Sequence, residues 1–230
     1  MYDTHMDYTV NNQQSYNEIA SEFSGTRAYV WEDIDFLMNY VKDSDSIIDI
    51  GCGNGRLLKN SKIQNPNYLG IDFSEGLIAQ AKKDFPDYKF EVLDVQNLKA
   101  LNKQFDIGFA VSVLNHLPKE RQQRALENIK AVIKPGGYLL MINWNLWDLK
   151  SKKSVWKTKN KGKTFKDLIT TWKGGDKQAE LYYYAFTKRE IKKLLKKNGF
   201  KIIKNFYSKK GKRSSMLRAE NIVTVAQLED

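Results

Sequence analysis

Ile47-Ile48-Asp49-Ile50-Gly51-Cys52-Gly53-Asn54-Gly55-Arg56 is the stretch that decides the fold. Its apolar start reads as a buried strand, and Leu57-Leu58 then begin an apolar face that predicts a helix from about Arg56. Glycines at 51, 53 and 55 let the backbone pass close beneath a ligand, because no Cβ stands in the way. A helix N-terminus beyond them would add unpaired N–H groups. Spacing separates two ligand classes. A dinucleotide fingerprint is G-x-G-x-x-G, whereas this run is D-x-G-x-G-x-G, with an acid two residues before the first glycine. Such an acid repels a pyrophosphate and suits a ligand that carries an ammonium group. A glycine turn that binds nothing is the alternative.

Outward from this loop, residues 11–42 read as two helical pieces broken at the turn-forming Ser24-Gly25-Thr26. Strands are expected at residues 46–50, 67–71, 89–93, 105–113, 138–143, 200–206 and 221–226. Ser74 is placed to cap a helix running to Asp84, and Pro118 to open one running to about Ile133. A third amphipathic helix covers 187–198 and stops at Asn198-Gly199. Residues 148–180 are lysine-rich with little periodicity, which predicts an irregular insertion. The order implies an α/β fold: a doubly wound, mostly parallel, seven-stranded Rossmann-like sheet with a C-terminal antiparallel strand and a helical N-terminal extension. The corresponding division is an N-terminal helical cap at 1–45, a ligand-binding core at 46–147, a basic insertion at 148–180, and a part at 181–230 that completes the sheet.

A chain of 230 residues with 41% hydrophobic and 12% aromatic content can bury one substantial core. One Cys excludes an internal disulfide and a cysteine-based structural zinc site. Residues 1–14 lack an apolar signal core, and no apolar run approaches 18 residues. The expectation is a cytoplasmic protein with no membrane partner. The net charge of +11 is unevenly placed: residues 150–218 hold 23 Lys and Arg against 4 Asp and Glu. That block reads either as a solvated lysine-rich surface or as an appendage that binds a polyanion such as nucleic acid.

Doubly wound sheets bind ligands at the carboxyl ends of their strands. Asp72 lies 21 residues past Gly51, near the offset at which an acid reaches ribose hydroxyls. Asp94-Val95 is placed to meet an adenine edge, Ser112, Val113 and His116 end the fourth strand, and Asp49 with Gly51 would face the ammonium.

Across residues 46–143 these features resemble the core of class I S-adenosylmethionine methyltransferases. Upstream, Tyr16-Asn17-Glu18-Ile19-Ala20, Phe23-Ser24, Thr26-Arg27 and Trp31 resemble Y-D-x-I-A-x-x-F-S-x-T-R-x-x-x-W. That pattern belongs to the tRNA wobble-uridine carboxymethyl methyltransferase family. Val113-Leu114-Asn115-His116 is similar to its V-I-H-H, and Trp144 falls on a tryptophan just after the fifth strand. The resemblance implies S-adenosylmethionine as cofactor, with Arg27 on its carboxylate and Tyr16 over its methionine end. Cys52, Gly53 and Phe73 join that donor site, while His116, Asn115 and Trp144 line the acceptor pocket. It also implies tRNA as partner, through the basic residues in 150–218, and a small zinc-binding activator protein. Departures occur at Asn115, at Leu181 and Tyr184 in Leu181-Tyr182-Tyr183-Tyr184-Ala185-Phe186, and at Glu220-Asn221-Ile222-Val223, which lacks the family tryptophan.

The acceptor chemistry narrows by exclusion. Methylation of pyrimidine C5 usually needs a Cys nucleophile, and Cys52 lies in the donor loop. Exocyclic amine methylation is associated with an N-P-P-F or D-P-P-Y run, and the chain here reads Leu114-Asn115-His116-Leu117-Pro118. A carboxylate fits best: it is already a nucleophile and needs positioning rather than a base. A hydroxyl acceptor with His116 as general base stays open, as do a small-molecule methyltransferase and a non-catalytic RNA-binding subunit.

Overall fold

Strand β1 (Ile47–Ile50) is buried along its whole length. It pairs in parallel with β2 (Tyr68–Asp72) on one side and with β4 (Phe105–Val111) on the other. The computed structural model describes residues 8–26, 31–60, 63, 67–154 and 164–229. β3 (Lys89–Val92) forms one edge, and β5 (Ile133–Trp144) continues the parallel set beyond β4. β10 (Asn221–Leu228) then runs antiparallel to both β5 and β8 (Phe200–Lys209). The sheet order is β3-β2-β1-β4-β5-β10-β8, closed by the two-residue β9 (Lys212–Arg213). The seven expected strands are present in the expected sense. β9, an eighth, is the short return of a hairpin from β8.

Continuous apolar strands require cover on both faces. On one face Ile48, Ile50, Met141 and Ile222 pack with Leu126 and Ile129 of α4 (Lys119–Ala131) and with Ile191 and Leu195 of α6 (Lys188–Lys197). On the other, Ile47, Phe109, Ile142 and Val223 meet Ile34 and Leu37 of α2 (Glu32–Leu37) and Ile78 and Ala81 of α3 (Glu75–Asp84). Each of these Ile, Leu, Val, Met and Phe side chains contributes about 1.5–3 kcal/mol on full burial. The helix starts follow local chemistry. Ser74 Oγ accepts from Leu77 N at 3.2 Å, and Thr187 with Glu190 forms a reciprocal capping box at α6.

Two expectations are corrected. The helix foreseen after the glycine loop is one 3₁₀ turn, Arg56–Lys59. Asn60 ends it, its side chain donating to Asp35 at 2.9 Å, and Ser, Asn and Pro follow, which favour turns over helix. The segment 148–180 is not irregular where it is described. It carries α5 (Leu149–Ser154), then β6 (Asp167–Gly174) paired antiparallel with β7 (Lys177–Tyr184) across Gly175-Asp176.

This hairpin and α1 (Tyr8–Gly25) build a third apolar cluster over the carboxyl edge of the sheet, with Tyr16, Ile19, Leu168, Leu181 and Tyr183 at its centre. α1 is fastened on both flanks. Asn12 accepts from Tyr182 N at 2.8 Å and donates to Tyr182 O at 3.1 Å, completing a strand-like pair with β7. Asn17 Oδ1 accepts from Ser74 Oγ at 2.7 Å and from Gly76 N at 3.2 Å, at the start of α3. Among the described residues no helix is long and apolar enough to cross a membrane.

Candidate active site

The carboxyl ends of β1, β2, β4 and β5 open into a cleft that is continuous with solvent. Its floor is the glycine loop. Gly51 adopts φ +68°, and a Cβ there would stand 2.6 Å from Val113 Cγ2. Gly53, at φ +56°, would place a Cβ in open space. The first glycine is therefore needed for packing, and the second leaves a cradle that any side chain would fill.

Of the residues singled out from sequence, Tyr16, Gly51, Cys52, Gly53, Asp72 and Phe73 line the cleft, as do Asp94, Val95, Ser112, His116 and Trp144. Asp72 Oδ2 accepts from Gly53 N and Oδ1 from Ser74 N, each at 2.9 Å, so the carboxylate locks the loop to α3 while facing the cleft. Burial lifts its pKa to about 6 against these hydrogen bonds. Asp94 accepts from Gln96 N at 2.7 Å and caps the turn that follows. Ser112 holds φ +62°, an uncommon conformation for a residue with a side chain, at the strand end that turns toward His116.

Two residues sit elsewhere, and Arg27 lies outside the described residues. Asp49 does not reach the cleft. It is 2% exposed beneath the loop, accepts from Tyr68 Oη at 2.8 Å, and burial pushes its pKa up to about 7. Asn115 is fully buried and holds backbone: its Oδ1 accepts from Trp144 N at 3.0 Å, and its Nδ2 donates to Tyr184 O at 3.2 Å and to Trp144 O at 3.4 Å. Its amide is thus bound to the ends of β5 and β7 rather than offered to a ligand.

His116 has a defined protonation state. Nδ1 lies 3.0 Å from the Tyr182 carbonyl, which can only accept, and 3.2 Å from Asn12 Nδ2, which can only donate; Asn12 Nδ2 already donates to Tyr182 O at 3.1 Å, so the shorter contact assigns the proton to Nδ1. Nε2 is then bare and accepts from Tyr16 Oη at 3.2 Å. Burial lowers the pKa to about 4, only partly offset by the hydrogen bond to Tyr182. The imidazole is neutral at physiological pH.

Sequence reading missed Tyr183, which lines the cleft between His116, at 4.5 Å between ring centroids, and Trp144, at 5.2 Å and an interplanar angle of 4°. It also missed Arg56, whose guanidinium stands 4.5 Å over the Trp31 ring, both residues lining the cleft. For Tyr183 a signal existed. Leu168, Thr170 and Trp172 alternate before Gly175-Asp176 and Ala179, Leu181 and Tyr183 after it, the pattern of a hairpin with one packed face. For Arg56 the loop pattern gives none.

A family model described as a methyltransferase domain matches residues 23–205. A protein of Encephalitozoon cuniculi designated a methyltransferase is 30% identical over 190 residues, 82% of this chain and 86% of its own length. The tRNA (carboxymethyluridine(34)-5-O)-methyltransferase of Saccharomyces cerevisiae is 34% identical over 134 residues, 57% of this chain and 47% of that protein, so the match spans about half of it. Among solved structures, an S-adenosylmethionine-dependent methyltransferase of Clostridium acetobutylicum shares the fold, with TM-score 0.70 at 18% identity over 94% of this chain and 99% of that one.

Proposed function

This chain belongs to the methyltransferase domain family, and from that premise we propose that it methylates a carboxymethyl group on a wobble uridine of tRNA to its methyl ester. S-adenosylmethionine, the donor we assign, supplies an electrophilic methyl group. The residues present fit it. Asp72 faces the cleft where ribose hydroxyls need an acceptor, Gly53 leaves the cradle open, and Asp94 and Val95 border the adenine end. Tyr16, Phe73 and Phe23 form an aromatic rim beside the reacting end, with Tyr16 at 5.2 Å from Phe23 and 6.1 Å from Phe73. Aromatic faces favour a cationic group.

One observation carries the acceptor assignment: both nitrogens of the His116 ring are already engaged, Nδ1 with the Tyr182 carbonyl and Nε2 with the Tyr16 hydroxyl, and burial lowers the pKa of the imidazole to about 4. A base that weak holds a proton poorly near pH 7, which disfavours hydroxyl and amine acceptors that must lose one. A carboxylate brings no proton and requires only alignment. The Tyr16 hydroxyl can turn from His116 Nε2 to donate to it. The similarity to the yeast enzyme supports RNA as the carrier of that carboxylate, as does the placement of basic residues. β8 ends level with Trp144, and Lys209, Lys210, Lys212, Arg213 and Arg218 are exposed around that edge.

The test is transfer of labelled methyl from S-adenosylmethionine into tRNA that lacks wobble-uridine esters, followed by nucleoside analysis. Alkali-labile label in 5-carboxymethyluridine is the expected result. Alkali-stable label at another nucleoside, or label only in small molecules, would overturn the acceptor assignment.

A further inference from the structure

Trp144 and Tyr183 form a stack that the reading above does not use. Their rings are parallel to within 4°, with centroids 5.2 Å apart. Tyr183 is almost wholly buried, Trp144 is half-buried, and both line the cleft. Tyr183 is backed in turn by His116 at 4.5 Å. All three rings border the cleft; Tyr183 is the most buried of them, so the half-buried indole is the more open plate of the stacked pair.

The plate is built rather than incidental. Trp144 is the last residue of β5, and Asn115 holds both its N–H and its carbonyl, while the same amide holds the carbonyl of Tyr184 next to Tyr183. Trp144 is further paired with Asn221 in the sheet. An indole whose backbone is fastened on both sides and whose ring is backed by a second ring loses little freedom when a third ring lands on it. That is the condition under which stacking contributes fully to affinity.

We infer that Trp144, backed by Tyr183 and fixed by Asn115, is a stacking platform for the acceptor's nucleobase, so that the site grips a planar ring and presents its substituent to the donor end. The inference rests on the RNA reading above and names the part of the RNA that enters the cleft. It requires the target base to leave its own stack, which is least costly in a single-stranded loop. Asn115 is a positioning residue in this scheme, and Trp144 and Tyr183 are specificity residues.

The test uses the full chain saturated with S-adenosylhomocysteine and two RNA hairpins carrying a seven-base loop, identical except that one lacks the base at the wobble position. Stacking of one base predicts that the intact hairpin binds about five- to 150-fold more tightly than the abasic one. In Trp144→Leu the ratio should collapse toward one, in Trp144→Phe it should be partly kept, and in Tyr183→Leu it should fall. The rise in Tm on adding S-adenosylhomocysteine shows that each variant is folded. An undiminished ratio in Trp144→Leu overturns the platform and leaves RNA binding standing. If neither hairpin binds, free uridine is the second probe, read as fluorescence quenching absent from Trp144→Phe. Quenching then supports the platform and refutes the RNA reading, and no quenching overturns both.

Discussion

At the scale of single residues, the two acids of the glycine loop region do different work. Asp72 lines the cleft, as its offset from Gly51 implies, whereas Asp49 lies beneath the loop with its carboxyl pushed up to about 7 by burial. In an unfolded chain that carboxyl titrates near 4. Between those values the folded protein keeps a proton that the unfolded chain has lost, so stability falls as pH rises through the window. Asp49→Asn can still accept from Tyr68 and removes the buried charge. It should gain stability at pH 8, on the order of a few kcal/mol, and nothing at pH 4, as read from urea midpoints; an equal or lower midpoint at pH 8 refutes the buried-charge account. His116 yields a second prediction. With its pKa at about 4, kcat should be flat from pH 6 to 8.5, and a rise with a midpoint near 7 would restore a general-base mechanism. A third concerns Asn115, which is legible in sequence as a residue near the acceptor but not as a clamp. Which way an amide points depends on partners 29 and 69 residues away. Asn115→Ala leaves the Trp144 N–H buried without that acceptor and should cost about 1–3 kcal/mol in chemical denaturation.

At the scale of elements, the strands were legible because a parallel strand covered on both faces is a continuous apolar run, and runs such as 105–111 admit few other readings. The helix after Gly55 was misread for the opposite reason. Leu57 and Leu58 supply a face, but Asn60 diverts the chain by bonding to Asp35 of α2, a partner that local spacing does not reveal. The hairpin β6–β7 alternates only in part: Thr170 is polar on the inward side, and Tyr182 and Tyr184 are buried on the other, so the period of two fades over residues 181–184. That hairpin decides the site, because it supplies Tyr183 and the Tyr182 carbonyl that sets the His116 tautomer. α1 depends on it in turn through Asn12. Asn12→Ala should therefore loosen α1 from β7, lower Tm by several degrees, and weaken S-adenosylmethionine binding by about tenfold or more as Tyr16 loses its place. Calorimetric titration checks this, and donor affinity equal to that of the unaltered protein would show that α1 does not hold the cleft.

At the scale of the whole molecule, the uneven charge becomes a geometric statement once the topology is known. α6 leads into β8 through Asn198-Gly199, so Lys196 and Lys197 lie toward the amino edge of the sheet, whereas Lys209, Lys210 and Lys212 lie at the carboxyl edge beside Trp144. Leu149 N donates to Leu217 O at 3.0 Å, which brings Lys150 and Arg218 to the same edge. An RNA that places a base in the cleft must run its backbone past the second set and not the first. If those five side chains each neutralise a phosphate, log K should fall with log salt at a slope of roughly −3.5 to −4.5. Reversing Lys209, Lys210 and Lys212 to Glu should flatten the slope by roughly 2 and weaken tRNA binding, with the affinity for S-adenosylmethionine unchanged because none of the three lines the cleft. The reversal Lys196→Glu/Lys197→Glu, two charges against three, alters the net charge in the same sense but at the far edge, and should leave the slope nearly as it was. Equal losses from the two sets would mean that the lysines act only as a diffuse positive surface, since a solvated lysine face has no preferred edge and a bound backbone must have one.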